Sequence, residues 1–234
     1  MHIDVRRSGD RFVSRAEGIV SRHSFSFGPH YDSANTAFGC LIANNDDRLS
    51  PGAGFPEHPH RDLEIVTWVV AGELEHSDSE GGSAVLRSGM VGRLSTGSGV
   101  HHTETNASSG ETRYVQMWLL PDAEGLASYD TADVSGALGA GGFVVVASGI
   151  PLAPVRLRRA GPTFLVARIP AGSSAVIPAA PLLHVYVARG AVALATDSPI
   201  PLADGDAARI TEPTPVRVEA TVHAEVLAWA MFAS

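Results

Sequence analysis

Two short alternating pairs carry the chemistry this sequence offers. His58-Pro59-His60 stands in GFPEHPHRDLEIVTW, and His102-Thr103-Glu104 stands in STGSGVHHTETN. In an extended strand, side chains at i and i+2 point to the same face. His58 and His60 can therefore converge on one point, and so can His102 and Glu104. Two such strands facing one another present three imidazoles and a carboxylate. That donor set suits a first-row divalent metal and leaves coordination positions open for a substrate or dioxygen. One His-x-His pair arises easily by chance; two alternating pairs about 40 residues apart, with a strand–turn–strand pattern between them, do not. His101 has the opposite parity and is expected to point away. Glu64 keeps the parity of His58 and His60, so the residues alone leave Glu64 and Glu104 both eligible as the carboxylate. His76, in ELEHSDS, reads as a surface residue near a turn, and His2, His23, His30, His184 and His223 are scattered without pattern.

The elements that must position these pairs read as short strands. EIVTWVVAG, RYVQMWLLP, GFVVVAS, PTFLVARIP, LLHVYVARGAVAL, VRVEA and AEVLAWAMF are rich in Val, Ile, Leu and aromatic residues, and Gly and Pro punctuate the chain between them. Many short strands at near-regular spacing predict an all-β sandwich or barrel. Helical periodicity is weak, with at most a helical turn expected between Pro121 and Asp133. An internal repeat emerges when Gly72 is matched to Gly190 and Gly89 to Gly205, so that strand, Gly turn, strand and second Gly turn recur. The expected organisation is therefore two β-barrel units in tandem: a metal-binding unit over residues 1–134, a flexible Gly-rich linker over 135–142, and a second unit over 143–234. In the second unit the repeat register puts Val176, Pro178, Val218 and Ala220 at the counterparts of the four candidate ligands. None of these can hold a metal, so one metal ion per chain is expected.

Composition narrows the function classes. The formal net charge is −8, and the basic residues form no dense run, which argues against a nucleic-acid partner. All 17 basic residues are Arg, which excludes Schiff-base and P-loop chemistry that needs Lys. The one cysteine, Cys40, lies in the apolar run AFGCLIAN and reads as a buried, inert thiol. No apolar run is long enough to span a membrane and none resembles a secretory signal, so the cytoplasm is the expected location.

The segments HPHRDLEIVTWVVAGELEHSDS and SGVHHTETN resemble the two cupin motifs in the form they take in the pirin family. Gly52, His58, His60, Glu64 and Gly72 match the first motif, with Gly72 one residue later than the usual spacing; Gly89, Gly99, His102 and Asn106 match the second. HSFSF…YD, ANNDD and VQMWLLP are similar to further pirin segments, so the resemblance is good over residues 20–121 and loose beyond. It implies a bicupin of two jelly-roll (double-stranded β-helix) domains. It also implies ligation by His58, His60, His102 and Glu104. Glu64, the carboxylate ligand of many other cupins, becomes a neighbouring or fallback base. The implied cofactor is one divalent metal, Fe(II) foremost, with Zn, Mn, Ni, Co or Cu able to substitute. The implied activity is that of a quercetin 2,3-dioxygenase, in which a flavonol and dioxygen react with release of carbon monoxide and Glu104 is the candidate base. The family also implies an alternative: a redox-responsive regulatory protein that binds a protein partner without turnover.

Overall fold

β-branched and aromatic side chains suit a pleated, half-buried surface, and the runs rich in them become strands. The computed structural model describes residues 2–122 and 125–232. The first half carries β1 (His2–Arg6), β2 (Phe12–Ala16), β3 (Ile19–His23), β4 (Leu41–Leu49), β5 (Gly54–His60) and β6 (Glu64–Ala71). It continues through β7 (Glu73–Asp78), β8 (Ser83–Arg87), β9 (Met90–Ser95), β10 (Val100–Asn106), β11 (Thr112–Leu119) and β12 (Ser128–Asp133). One helical turn, α1 (Ser135–Leu138), leads into β13 (Val144–Ser148), β14 (Val155–Arg156), β15 (Thr163–Ile169), β16 (Ser174–Ile177) and β17 (Leu182–Arg189). The chain ends with β18 (Ala191–Leu194), β19 (Ile200–Ala203), β20 (Ala207–Thr211), β21 (Val216–Ala220) and β22 (Ala224–Met231).

The strands form two copies of one unit. A seven-stranded sheet of order β12-β9-β6-β11-β4-β3-β2 lies with a four-stranded sheet β5-β10-β7-β8 in the first copy; β1-β20-β17-β22-β15-β13-β14 and β16-β21-β18-β19 repeat them in the second. The expected bicupin is thus present, each unit built as two sheets. Gly72 and Gly190 end β6 and β17 with φ of 77° and 82°, a conformation that favours glycine. A Cβ there would also clash with Thr112 Oγ1 or the His223 carbonyl oxygen, so the matched glycines mark a tight backbone approach in both copies.

The two seven-stranded sheets pack their outer faces together. Val66, Trp68, Val115 and Met117 from one half meet Phe164, Tyr186, Leu227 and Trp229 from the other in a single buried cluster. Phe164 stacks on Trp229 at 4.9 Å, and Trp68 meets Phe164 edge-on at 6.3 Å. The polar groups at this seam are paired across it: Trp68 Nε1 donates to Glu225 Oε1 at 2.8 Å, and Tyr186 OH to Asp46 Oδ2 at 2.5 Å. Inside the second unit the core is wholly apolar, with Leu183, Val185 and Val226 against Ile177, Val192 and Val218. Inside the first, Asp47, His76, His102, Glu104 and Gln116 are buried as well.

Four expectations need correction. The 135–142 segment does not behave as a loose linker at its start, because α1 buries Leu138 in the seam at 1% exposure. Residues 128–133 form β12 instead of a helical turn; they extend the first sheet beside β9. The N-terminal strand β1 pairs with β20 and so completes the second unit's sheet, which interlocks the halves. Finally, the ladders shift the repeat register. His58 faces His102, and Glu104 faces His76; at the equivalent places Ile177 faces Val216, and Val218 faces Leu194. The counterparts of His58, His102 and Glu104 are therefore Ile177, Val216 and Val218, still incapable of holding a metal.

Replacing Trp229 with Ala should destabilise the protein by about 3–5 kcal/mol in urea unfolding, because the seam cannot collapse around a lost indole. His184 offers a pH test. It is buried at the seam beside Phe25, and neither ring nitrogen has a hydrogen-bond partner among the described residues. Burial, then the Arg209 and Arg11 guanidiniums, push its imidazole down to about 3. Such a group contributes stability that is complete above its unfolded value of 6.5 and is lost as pH falls toward the folded one. At about 1.4 kcal/mol per pH unit, His184→Phe should lessen the stability lost between pH 7 and pH 5 by about 2 kcal/mol.

Candidate metal centre

β5 is an edge strand, where Pro56 and Pro59 cost no ladder donor that a neighbour needs. It pairs with β10 so that His58 stands directly opposite His102 and His60 opposite Val100, with a bulge before Phe55 and Glu104. The three imidazoles converge as the alternation requires. Ring centroids are 4.3 Å apart for His58 and His102, 4.9 Å for His58 and His60, and 5.0 Å for His60 and His102. One nitrogen from each of the three lies within 4.8 Å of the others. A second group with the same spacing contains His76, His102 and Glu104, so Glu104 shares this spacing with His102 and not with His58 and His60.

The hydrogen bonds select one nitrogen on each ring. His58 Nδ1 donates to the Pro56 carbonyl at 2.7 Å, which leaves its Nε2 lone pair free. His76 Nε2 donates to Asp78 Oδ2 at 3.1 Å, and His102 Nδ1 lies 3.4 Å from His76 Nδ1, the polarity that leaves His102 Nε2 free. The Nε2 atoms of His60 and His102 are buried and have no hydrogen-bond partner among the described residues. Unpaired buried nitrogens are costly, and a cation among them would satisfy them. Burial, reinforced by the neighbouring His58, pushes His60 down to about 4, and burial with the surrounding histidines pushes His102 down to about 2. Both are therefore neutral, the form that binds metals.

Glu104 is buried, and its Oε1 accepts from Gln116 Nε2 at 2.7 Å; Gln116 Oε1 in turn accepts from Trp118 Nε1 at 2.9 Å. Burial raises its carboxyl to about 8, against the lowering effect of the Gln116 bond. These residues border a cavity of about 250 Å³ walled by Phe27, Phe55 and Trp118 and edged by His23 and Asp47. A larger cavity of about 530 Å³, near Arg61 and Arg158, contains none of the four candidate ligands, so chemistry and not size singles out the smaller one.

The remaining candidates fall elsewhere. Glu64 is not beside the histidines. The Arg61–Leu63 turn, with Asp62 at φ 55°, ends β5 and sends the chain into the other sheet, so strand parity does not carry across. There Glu64 Oε2 accepts from the Arg158 backbone N–H at 3.2 Å. His101 points outward as expected, with a half-exposed side chain 3.8 Å from Glu57. His76 is the residue that sequence reasoning missed: it is 3% exposed, stacked on Tyr129 at 3.8 Å, and orients His102. The signal was present as a third alternating pair, His76-x-Asp78. Nor is His23 a bystander: it lines the cavity and bonds Asn45 Oδ1 and Ser14 Oγ, both at 2.9 Å.

Elemental analysis should find close to one divalent metal per chain, lost in a His58→Ala, His60→Ala double variant. His76→Phe keeps the stacking but removes the acceptor for His102, and should weaken metal affinity by about 10–100-fold in a chelator competition.

Comparison with known proteins identifies the family. The Pirin family model matches residues 6–119. A Mycobacterium tuberculosis protein provisionally named quercetin 2,3-dioxygenase is 44% identical over 235 aligned positions, covering 99% of this chain and 96% of that one. The quercetin 2,3-dioxygenase of Escherichia coli is 37% identical over 125 residues, 53% of this chain and 54% of that protein. The crystal structure of the Escherichia coli bacterial pirin YhhW in complex with nickel(II) superposes with a TM-score of 0.88 at 26% identity, covering all of both chains. With paired cupin units, a histidine trio on β5 and β10, and a relative alike along almost its whole length, this chain belongs to the pirin family.

Proposed function

We propose that this protein is a metal-dependent dioxygenase that opens the heterocyclic ring of a flavonol such as quercetin, with His58, His60, His102 and Glu104 as the metal ligands. The observation that carries the reading is the set of neutral imidazoles with free Nε2 atoms beside an aromatic-walled cavity. The names of the relatives, as quercetin 2,3-dioxygenases, support the substrate class. A divalent metal, Fe(II) in the first instance, supplies Lewis acidity toward the substrate oxygens and a route for dioxygen to react. The nickel(II) complex of a related pirin supports a site tolerant of several metals.

The protein's own residues supply the rest. Phe27, Phe55 and Trp118 offer apolar faces to a planar substrate, and Phe27 braces Trp118 edge-on at 5.0 Å. Gln116 donates to one Glu104 oxygen and fixes the carboxyl, which is the candidate acceptor for the hydroxyl proton of the substrate. Glu64 is outside this cavity's lining and receives no role. No helix among the described residues is long and apolar enough to cross a membrane; cytoplasmic residence belongs to this proposal.

Aerobic quercetin turnover by metal-loaded protein tests the reading. Activity should vanish in His58→Ala, fall by about 10²–10⁴-fold in kcat in Glu104→Gln, and stay near wild type in Glu64→Gln. Metal-loaded protein that consumes no dioxygen with quercetin or other flavonols would overturn it. The non-catalytic regulatory role would then be the reading to pursue.

A further inference from the structure

Strand alternation gives β3 and β4 two different duties. Ser21, His23, Asn45 and Asp47 border the aromatic cavity, whereas Arg22, Asp46 and Arg48 project from the opposite face of the same sheet, toward the seam. A second cavity of about 310 Å³ opens there, where the N-terminal turn Ser8–Asp10 and the β19–β20 turn of the other half meet that face. Four guanidiniums line it, from Arg11, Arg22, Arg48 and Arg113, against the carboxylates of Asp46 and Asp204. In a chain of net charge −8 this is a local reversal of sign.

The hydrogen bonds inside the cavity leave donors over. Arg113 is committed, with Nη2 2.6 Å from both Asp46 Oδ2 and Asp204 Oδ1. Arg11 sends Nη1 to Tyr186 OH and Nη2 to the Arg22 carbonyl, and Arg48 sends Nη1 to Glu111 at 2.9 Å. The Arg22 guanidinium, however, has no hydrogen bond or ion pair to any described residue. The Nε groups of Arg11 and Arg48 are buried without a partner among the described residues, and the Arg11 side chain is only 4% exposed. Arg48 also stands directly opposite Arg113 across β4 and β11, a like-charge pair that is unfavourable unless negative charge lies nearby. An anion with several acceptor oxygens would satisfy the unpaired N–H groups and neutralise the adjacent cations at once, which water cannot do.

We propose that this cavity is a binding site for a small oxyanion, a phosphate or carboxylate group, held chiefly by Arg22 and Arg48 and separate from the metal centre. Because the two cavities lie on opposite faces of one sheet, anion binding there does not require the histidine ligands. Isothermal titration with inorganic phosphate, and in parallel with malonate, at fixed ionic strength tests this on the metal-loaded protein and on the His58→Ala, His60→Ala variant. We expect one saturable site with a Kd of about 1 mM or tighter for at least one anion, retained in the His double variant. Binding should weaken at least about tenfold in Arg22→Gln and in Arg48→Gln. Phosphate alone would assign a phosphate site, malonate alone a carboxylate site, and each supports the proposal. The Arg22 guanidinium has no hydrogen bond to a described residue, so Arg22→Gln should keep the wild-type Tm in chloride; Arg48→Gln provides the second variant. No saturable heat with either anion, binding unchanged in both Arg variants, or binding lost with His58 and His60 would overturn it.

Discussion

Trp68, Phe164 and Trp229 lie ring against ring where the outer faces of the two seven-stranded sheets meet. Around them Val66, Val115, Met117, Leu227 and Met231 complete an apolar layer that belongs to both halves. The polar interior of the first unit depends on this sheet-on-sheet contact. That unit places imidazoles, carboxylates and amides in part of its own core, a poor source of hydrophobic stabilisation and an expensive one to desolvate. The first unit keeps apolar clusters of its own, Ile19, Leu49, Val69, Leu74 and Leu86 in one and Ile65, Leu94 and Val100 in another, but only the second unit has an interior that is apolar throughout. The β1–β20 pairing and the Tyr186–Asp46 and Trp68–Glu225 hydrogen bonds tie the halves together at the same junction.

The asymmetry of the repeat reflects this division. Both copies use the same strand order and the same glycine turns, yet Ile177, Val216 and Val218 stand where His58, His102 and Glu104 stand in the other. One copy carries the candidate ligands and the other an apolar interior. The polar interior is also less isolated than a four-ligand description suggests. Asp78 orients His76, His76 orients His102, and Trp118 and Gln116 orient Glu104. Ligand-like atoms held this way are aimed before a cation arrives, which favours geometry over adaptability.

Much of the chemistry was legible because strand parity is a local property. Side chains two apart share a face wherever a strand persists, so spacing alone groups His58 with His60 and selects His102 over His101. The same rule misleads where a strand ends without a clear sign. Glu64 keeps the parity in sequence, but the Asp62 turn moves it to another sheet. The counterparts in the second unit slip for a related reason: the connection from Gly89 to His102 is longer than that from Gly205 to Val216, and the one from His58 to Gly72 is longer than that from Ile177 to Gly190, so only the ladders reveal the true matches.

The sequence by itself determined the strand content, the doubled unit, the histidine trio and the expectation of a single site, all of which rest on periodicity and residue type. Tertiary structure decided what depends on distant segments meeting. It buried His76 against Tyr129, brought His23 to the cavity, separated Glu64 from the histidines and set the N-terminal strand in the other half's sheet. It also gathered Arg11, Arg22, Arg48 and Arg113 into one cavity from segments that no motif connects. Burial and cross-strand neighbours arise only when separated segments pack, and those two quantities decide which polar side chains become a site.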